Sequence, residues 1–251
     1  MLIDFSLIPT GVASSAQIGA LNDVHTKLTL RLVDQIVIPE GKSGFRPSNL
    51  IRVYLHSHLR RMLQLSECAL SSYFDGQGVV AMLCGRALYE SIGTVADFEM
   101  ELLPLLDQDD IQKIFDFTKS KIHATKLKNL IEQVGNPNVT AKNVVTMVKK
   151  LTYIRENVPK EYDFLSEIAH PNGIGAVGFF ASITPGPPDI AHFSDSGPDV
   201  HADLQWVLIA VSFLREFEKI MSRIEEKLPA LTARGEEQWL RLQDKPGRGA
   251  N

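Results

Sequence analysis

The stretch that decides the fold is GVVAMLCGRALYESIGTVADFEMELL, residues 78–103. Its apolar side chains lie around nearly the whole circumference of a helix: Val79, Val80, Leu83, Cys84, Leu88, Ile92, Val95 and Phe98. A helix that is apolar on all sides belongs in the interior of a protein. The stretch therefore predicts a central helix with other helices packed against it.

Helical periodicity continues on both sides of this stretch. Apolar residues at three- and four-residue spacing predict further helices over 16–38, 49–74, 107–134, 140–154, 159–170 and 199–228. The segment 172–198 is rich in Gly and Pro, and predicts either a loop or a short β-hairpin with strands at 178–183 and 190–194. The predicted fold class is all-α, a helical bundle of about six to seven helices.

The domain organisation follows from the same pattern. We expect an N-terminal extension over 1–15, a single helical-bundle domain over 16–228, and a polar, partly disordered C-terminal tail over 229–251. The sequence shows no internal repeat, and no linker long enough to require a second domain.

Composition excludes several classes of protein. With 44% hydrophobic and 22% charged residues, the chain has the composition of an ordinary globular protein. A net charge of −4 argues against a broad basic surface for nucleic acid. The N-terminal residues lack the features of a signal peptide, which predicts a cytoplasmic protein. Cys68 and Cys84 lie among apolar residues and are expected to be reduced thiols in the core.

No association with a membrane is expected. The most apolar window, residues 77–96, carries Arg86 and Glu90 near its middle. Each charge is unfavourable by about 2.5–3.5 kcal/mol at the centre of a bilayer. These two residues are also the only formal charges between Asp75 and Asp97, so they stand out within the central helix.

Arg86 and Glu90 are the first candidates for a functional site. Their spacing of four residues places them on one face of the helix. A buried charge without a partner costs several kcal/mol, so we expect a further polar group to meet them. The best candidates lie on the helix over 159–170, where Tyr162, Ser166 and His170 recur at steps of four.

Two interpretations of this cluster remain open. In the first, Arg86 stabilises negative charge, His170 acts as a general acid or base and Glu90 orients one of them, while three neighbouring residues bind the substrate: Tyr162, Ser166 and Glu167. Pro171 places His170 at a helix C-terminus, where the helix dipole favours the imidazolium form. In the second, the same side chains satisfy one another and only fix the register of the helices.

No metal and no other cofactor is predicted. Glu167 and His170 have the Glu-x-x-His spacing of carboxylate-bridged di-iron bundles, but those proteins use the motif twice and this chain contains it once. The sequence also lacks a Gly-rich phosphate loop and a Gly-x-Ser-x-Gly nucleophile elbow.

Two short motifs carry a resemblance to a known family. GRALYES at 85–91, paired with YDFLSEIAHP at 162–171, is similar to a pattern in uncharacterised bacterial helical proteins that resemble the HEPN superfamily. The resemblance implies a helical bundle that often dimerises. In active members it implies a metal-independent ribonuclease that acts in stress responses or phage defence. A homodimer, and RNA or a nucleotide, are the partners that it implies.

The catalytic motif of that superfamily is an Arg followed, after four to six residues, by a His. Arg52 and His58 have this spacing, but Val53 stands where the family usually has a polar residue. We therefore prefer a site formed by Arg86 and His170 across two helices. The rival hypothesis is a non-catalytic helical binding or regulatory module, in which the cluster is structural and the segment 172–198 contacts a partner.

Overall fold

Most of the chain is helical. The computed structural model describes residues 3–39, 45–108, 110–135, 137–195 and 200–243. Within these ranges the α-helices are α1 Ser15–Leu30, α2 Phe45–Phe74, α3 Gly78–Leu106, α4 Ile111–Ile122, α5 Lys128–Val134, α6 Val144–Lys149, α7 Val158–Ala169, α8 Val200–Val211 and α9 Phe213–Gln243. Short 3-10 helices cover Phe5–Leu7, Pro137–Val139 and Lys150–Tyr153, and a π-helix covers Gly173–Gly178.

The chain divides into two compact units. The first comprises Met1–Arg31, Leu59–Thr94 and Val144–Glu218, and the second comprises Leu32–His58, Val95–Asn143 and Lys219–Asn251. Helices α2, α3 and α9 each contribute residues to both.

Many apolar residues of α3 are buried. Leu88, Ile92 and Val95 have no exposed surface. Burial is incomplete in the first turns, where Val80 and Leu83 are exposed. Among the described residues, α3 alone is long and apolar enough to cross a membrane, and 56% of its most apolar window is buried inside the protein.

Three of the predicted helices are shorter than expected or interrupted. The one predicted over 140–154 is an α-helix only over Val144–Lys149, and a 3-10 helix follows over Lys150–Tyr153. Helix α1 begins with a capping box between Ser14 and Gln17, and it ends at Leu30 rather than at residue 38. The helix predicted over 107–134 is interrupted between α4 and α5. There the backbone N–H of Thr125 donates to the carbonyl of Val139 at 2.8 Å, and such bonds replace those of a continuous helix.

The segment after α7 contains a small sheet. Strands β1 Ala181–Thr184 and β2 Ile190–Phe193 pair antiparallel, with Ala181 opposite Phe193 and Thr184 opposite Ile190. The first strand begins later than the predicted residue 178, because the preceding residues form the π-helix. The side chain of Asn172 caps this π-helix by accepting hydrogen bonds from the backbone N–H groups of Ile174 and Gly175.

The last predicted helix differs in two respects. It is divided at Ser212, whose Oγ donates to the carbonyl of Ile209 at 2.6 Å. Its second part, α9, continues past Pro229 to Gln243, although the sequence predicts an end at 228. Leu231 is fully buried, and this packing offsets the unfavourable proline. Residues 229–243 are thus helical, and the rest of the predicted tail lies outside the described residues.

Candidate functional site

Arg86, Glu90 and Tyr162 come together in the first unit. Arg86 Nε lies 3.2 Å from Glu90 Oε1, and both side chains are 28% exposed. The hydroxyl of Tyr162 donates to Glu90 Oε1 at 2.9 Å and accepts from Arg86 Nη2 at 3.4 Å. The guanidinium carbon also lies 5.6 Å from the centre of the Tyr162 ring. The expected polar partner on the helix over 159–170 is therefore present.

A second set of polar side chains adjoins the first. The hydroxyl of Tyr89 donates to Glu161 Oε2 at 2.7 Å. Arg155 Nη2 donates to the same oxygen at 2.5 Å, and to the Tyr89 hydroxyl at 3.4 Å. The Tyr89 and Tyr162 rings lie 6.5 Å apart between their centres. These six side chains form what we call the polar cluster: Arg86, Tyr89, Glu90, Arg155, Glu161 and Tyr162.

The half of the cluster around Tyr89 is the more deeply buried. Tyr89 has no exposed surface, and its ring meets Phe213 edge to face with 4.7 Å between centres. Burial raises the pKa of Tyr89, and the hydrogen bond to the Glu161 carboxylate raises it further. The phenol therefore remains protonated and acts as a donor to Glu161, not as a proton acceptor for a substrate.

The acidic and basic side chains of the cluster bind one another. Each of its two carboxylates accepts a hydrogen bond from a tyrosine hydroxyl and lies beside a guanidinium group. Two donors are imperfectly satisfied: the buried Nε atoms of Arg86 and Arg155 have no aligned acceptor among the described residues. For Arg86 this means that the ion pair is close in distance but not a well-directed hydrogen bond.

Among the described residues, the other predicted site residues make no side-chain hydrogen bond or ion pair with this cluster. His170 is the exposed C-cap of α7, and within the described residues its side chain makes neither a hydrogen bond nor an ion pair. Glu167 is exposed and accepts a hydrogen bond from Asn172 Nδ2 at 2.6 Å. Ser166 Oγ is buried, with no hydrogen-bond partner in the part of the chain that the structure describes. The structure thus brings together three of the six predicted residues.

Arg52 and His58, which have the spacing of the family motif, contact different neighbours. Arg52 is exposed, and its Nη1 donates to Asn49 Oδ1 at 3.4 Å. The ring of His58 lies 4.6 Å from that of Tyr54.

Sequence reasoning missed Tyr89, Glu161 and Arg155. One signal for them existed, because the hydroxyl of a tyrosine in an apolar central helix needs a hydrogen-bond partner when it is buried. The identity of that partner could not be read from spacing, since Glu161 lies 72 residues away along the chain.

A further network in the second unit was also missed. Asp97 is only 2% exposed, and its Oδ2 lies 2.7 Å from Lys142 Nζ and 3.7 Å from Lys121 Nζ. Glu101 binds the same two lysines. Asp97 and Glu101 have the i,i+4 spacing of Arg86 and Glu90, so the same criterion could have identified them. Among the described residues, no group of three or more His, Cys, Asp or Glu side chains could hold a metal ion.

Comparisons with models of protein families, with curated proteins and with solved structures find no match to this chain.

Proposed function

We propose that this chain is a non-catalytic, cytoplasmic binding module. In this module a helical bundle supports the segment 172–195, and that segment contacts a protein partner. The observation that carries the proposal is the pairing within the polar cluster. Its acids and bases bind one another, and His170, the expected proton-transfer group, is exposed and outside it. A cluster of this kind fixes how α3 packs against α7.

The small sheet is the best candidate for the contact surface. Its register places four apolar side chains on one face: Ala181, Ile183, Ala191 and Phe193. Ile183 is 62% exposed and Phe193 is 82% exposed. An isolated two-stranded hairpin is only marginally stable in water, and an exposed apolar face of this kind is typical of an interaction site.

The partner that we propose is a second copy of the chain. In a twofold symmetric dimer the same patch of both copies meets at the axis, so a charged residue close to the axis would face its own copy. The two strands contain no Asp, Glu, Lys or Arg. Their apolar face can therefore pair with itself without repulsion between like charges.

The Phe193→Ser substitution is expected to weaken the dimer at least tenfold. Burying a large apolar side chain contributes about 1.5–3 kcal/mol, and each 1.4 kcal/mol is about a tenfold change in affinity. Sedimentation equilibrium of the wild-type and variant proteins measures the dissociation constant.

Leu30→Ser is the matched control, because Leu30 is also 82% exposed but lies outside the sheet. It should dimerise like the wild type. The proposal is contradicted if the wild-type protein stays monomeric at about 100 µM. It is also contradicted if both substitutions weaken the dimer equally.

The second candidate is the RNA-directed, metal-independent nuclease of stress or defence that the HEPN resemblance implies. In its favour, Arg86 and Glu90 each keep 28% of the side chain exposed, and His170 is open to solvent. An RNA phosphate could approach the outer side of the Arg86 guanidinium, whose charge would stabilise an anionic transition state.

For this candidate, purified protein should cleave single-stranded RNA in the presence of a metal chelator. His170→Ala should then lower the rate by about 10²–10⁴-fold, the usual contribution of a general acid or base. Arg86→Ala should lower it by about 10²–10³-fold, the usual cost of losing one group that stabilises charge in the transition state. The exposed Arg215 lies outside the cluster, so Arg215→Ala should cleave at the wild-type rate. Absence of cleavage by the wild-type protein favours the binding module.

A further inference from the structure

Cys68 and Cys84 are the only cysteines of the chain, and they face each other in the first unit. Cys68 lies on α2 and Cys84 on α3, with 3.2 Å between the two sulfur atoms. The thiol of Cys84 donates to Cys68 Sγ, which also lies 3.8 Å from Ser72 Oγ. The prediction of two core cysteines is therefore wrong for Cys68, which is exposed, while Cys84 is half-buried.

The turn between the helices holds this pair in register. Gly76 adopts a left-handed conformation with φ of 77°, and the N–H of Gln77 donates to the carbonyl of Ser72 at 2.7 Å. Helix α2 ends at Phe74 and α3 begins at Gly78, so the two cysteines lie equally far from the turn along their helices. The thiols are thus adjacent as a consequence of the fold and need no large movement to react.

We propose that Cys68 and Cys84 form a reversible disulfide when the protein meets hydrogen peroxide. The thiolate of Cys68 attacks one peroxide oxygen, the O–O bond breaks, and Cys68 becomes a sulfenic acid as hydroxide leaves. Cys84 sulfur then attacks Cys68 sulfur. The S–O bond breaks, the sulfenic hydroxyl and the proton of Cys84 leave together as water, and the two thiols have lost two electrons to the peroxide.

The order of attack follows from the surroundings of the two sulfurs. Cys68 is the exposed thiol and meets the oxidant first, whereas Cys84 lies half-buried behind it. Burial raises the pKa of Cys84 to about 12, with a further contribution from its hydrogen bond to Cys68, so Cys84 is the poorer nucleophile toward the peroxide. Cys84 is then the resolving thiol, already in contact with the sulfenic sulfur.

The sulfurs must approach from 3.2 Å to the S–S length of about 2.0 Å, a shift that side-chain rotation can supply. Because the bridge closes a loop between two neighbouring helices, the oxidised protein should be more resistant to heat than the reduced one. The change in melting temperature therefore distinguishes a disulfide that the native fold accommodates from a disulfide that forms only after unfolding.

The test is treatment of the native, reduced full-length protein with one equivalent of hydrogen peroxide. Both thiols should disappear from titration with Ellman's reagent, and the intact mass should fall by two hydrogens. Digestion should yield one peptide pair joined through Cys68 and Cys84. Dithiothreitol should restore both thiols, and the oxidised protein should melt at a higher temperature.

Two single variants act as controls. Cys84→Ser should retain a sulfenic acid at Cys68 that dimedone traps, and Cys68→Ser should keep its remaining thiol under the same treatment. The proposal is overturned if the wild-type protein keeps both thiols, if Cys68 proceeds to a sulfinic acid while Cys84 stays free, or if the bridged protein melts at a lower temperature.

Discussion

Replacement of Glu161 by alanine is expected to lower the free energy of unfolding by about 3 kcal/mol. The carboxylate accepts hydrogen bonds from the fully buried Tyr89 and from Arg155. Without it, a buried hydroxyl loses its acceptor and a guanidinium loses its counter-charge. Losing one partner of a buried pair costs about 3–5 kcal/mol, and we take the lower end because the Arg155 side chain is 35% exposed. Urea unfolding followed by circular dichroism measures the change.

Two controls on the same helix define what this result means. Glu161→Gln keeps an acceptor for Tyr89 and should cost less than the alanine variant. Glu167→Ala removes an exposed carboxylate of α7 and should change stability by about 0.5 kcal/mol or less. If Glu161→Ala is no more destabilising than Glu167→Ala, the deeper half of the polar cluster does not hold α3 and α7 together.

Glu90→Ala extends this comparison to the two proposed functions. If the cluster is structural, the variant should lose about 1 kcal/mol, less than Glu161→Ala because Glu90 is 28% exposed. If Glu90 belongs to a solvent-lined active site, its removal should leave stability unchanged or increase it, since active sites are often held at a cost in stability.

The Gly175→Ala substitution is the second change with a large expected effect. A Cβ at this position would lie 2.1 Å from the carbonyl oxygen of His170 and 2.5 Å from that of Ile168. Both contacts are to backbone at the end of α7, so no side-chain rotation can relieve them. We expect a loss of about 2–3 kcal/mol, the range of overpacked sites, with release of the π-helix from the end of α7.

Gly173→Ala is the matched control, because a Cβ there meets no atom within 4 Å. It should be neutral or stabilising by up to about 1 kcal/mol, since alanine restricts the unfolded chain. Thermal unfolding measures both variants, and limited proteolysis reports cleavage within 172–195. Equal behaviour of the two alanine variants would show that the close approach at Gly175 does not constrain the segment.

The helical character of the chain was predictable because it depends on local periodicity. Apolar residues recur at helical spacing around Leu88 and Ile92, and both are fully buried. Helix ends were less predictable, as Pro229 illustrates. A proline usually ends a helix, but the buried Leu231 beyond it keeps α9 helical to Gln243.

The candidate site was predictable in part for the same reason. The i,i+4 pair Arg86 and Glu90 could be recognised within one apolar helix, and a polar partner was expected because isolated buried charges are costly. Which side chain would be that partner depends on the rotation of α7. That rotation brings Tyr162 to Glu90. His170 lies in solvent because α7 ends at Ala169 and the backbone of His170 is extended.

By itself the sequence determined that this protein is mostly helical, that apolar residues of α3 such as Leu88 and Ile92 are buried, and that the charges on α3 need partners. These properties depend on side chains a few residues apart, whose relative positions are set by the geometry of one helix. Only the tertiary structure decided that Glu161 accepts from Tyr89 and that Cys68 meets Cys84. Those contacts join separate helices, and their formation depends on how the helices pack, which no spacing along one helix encodes.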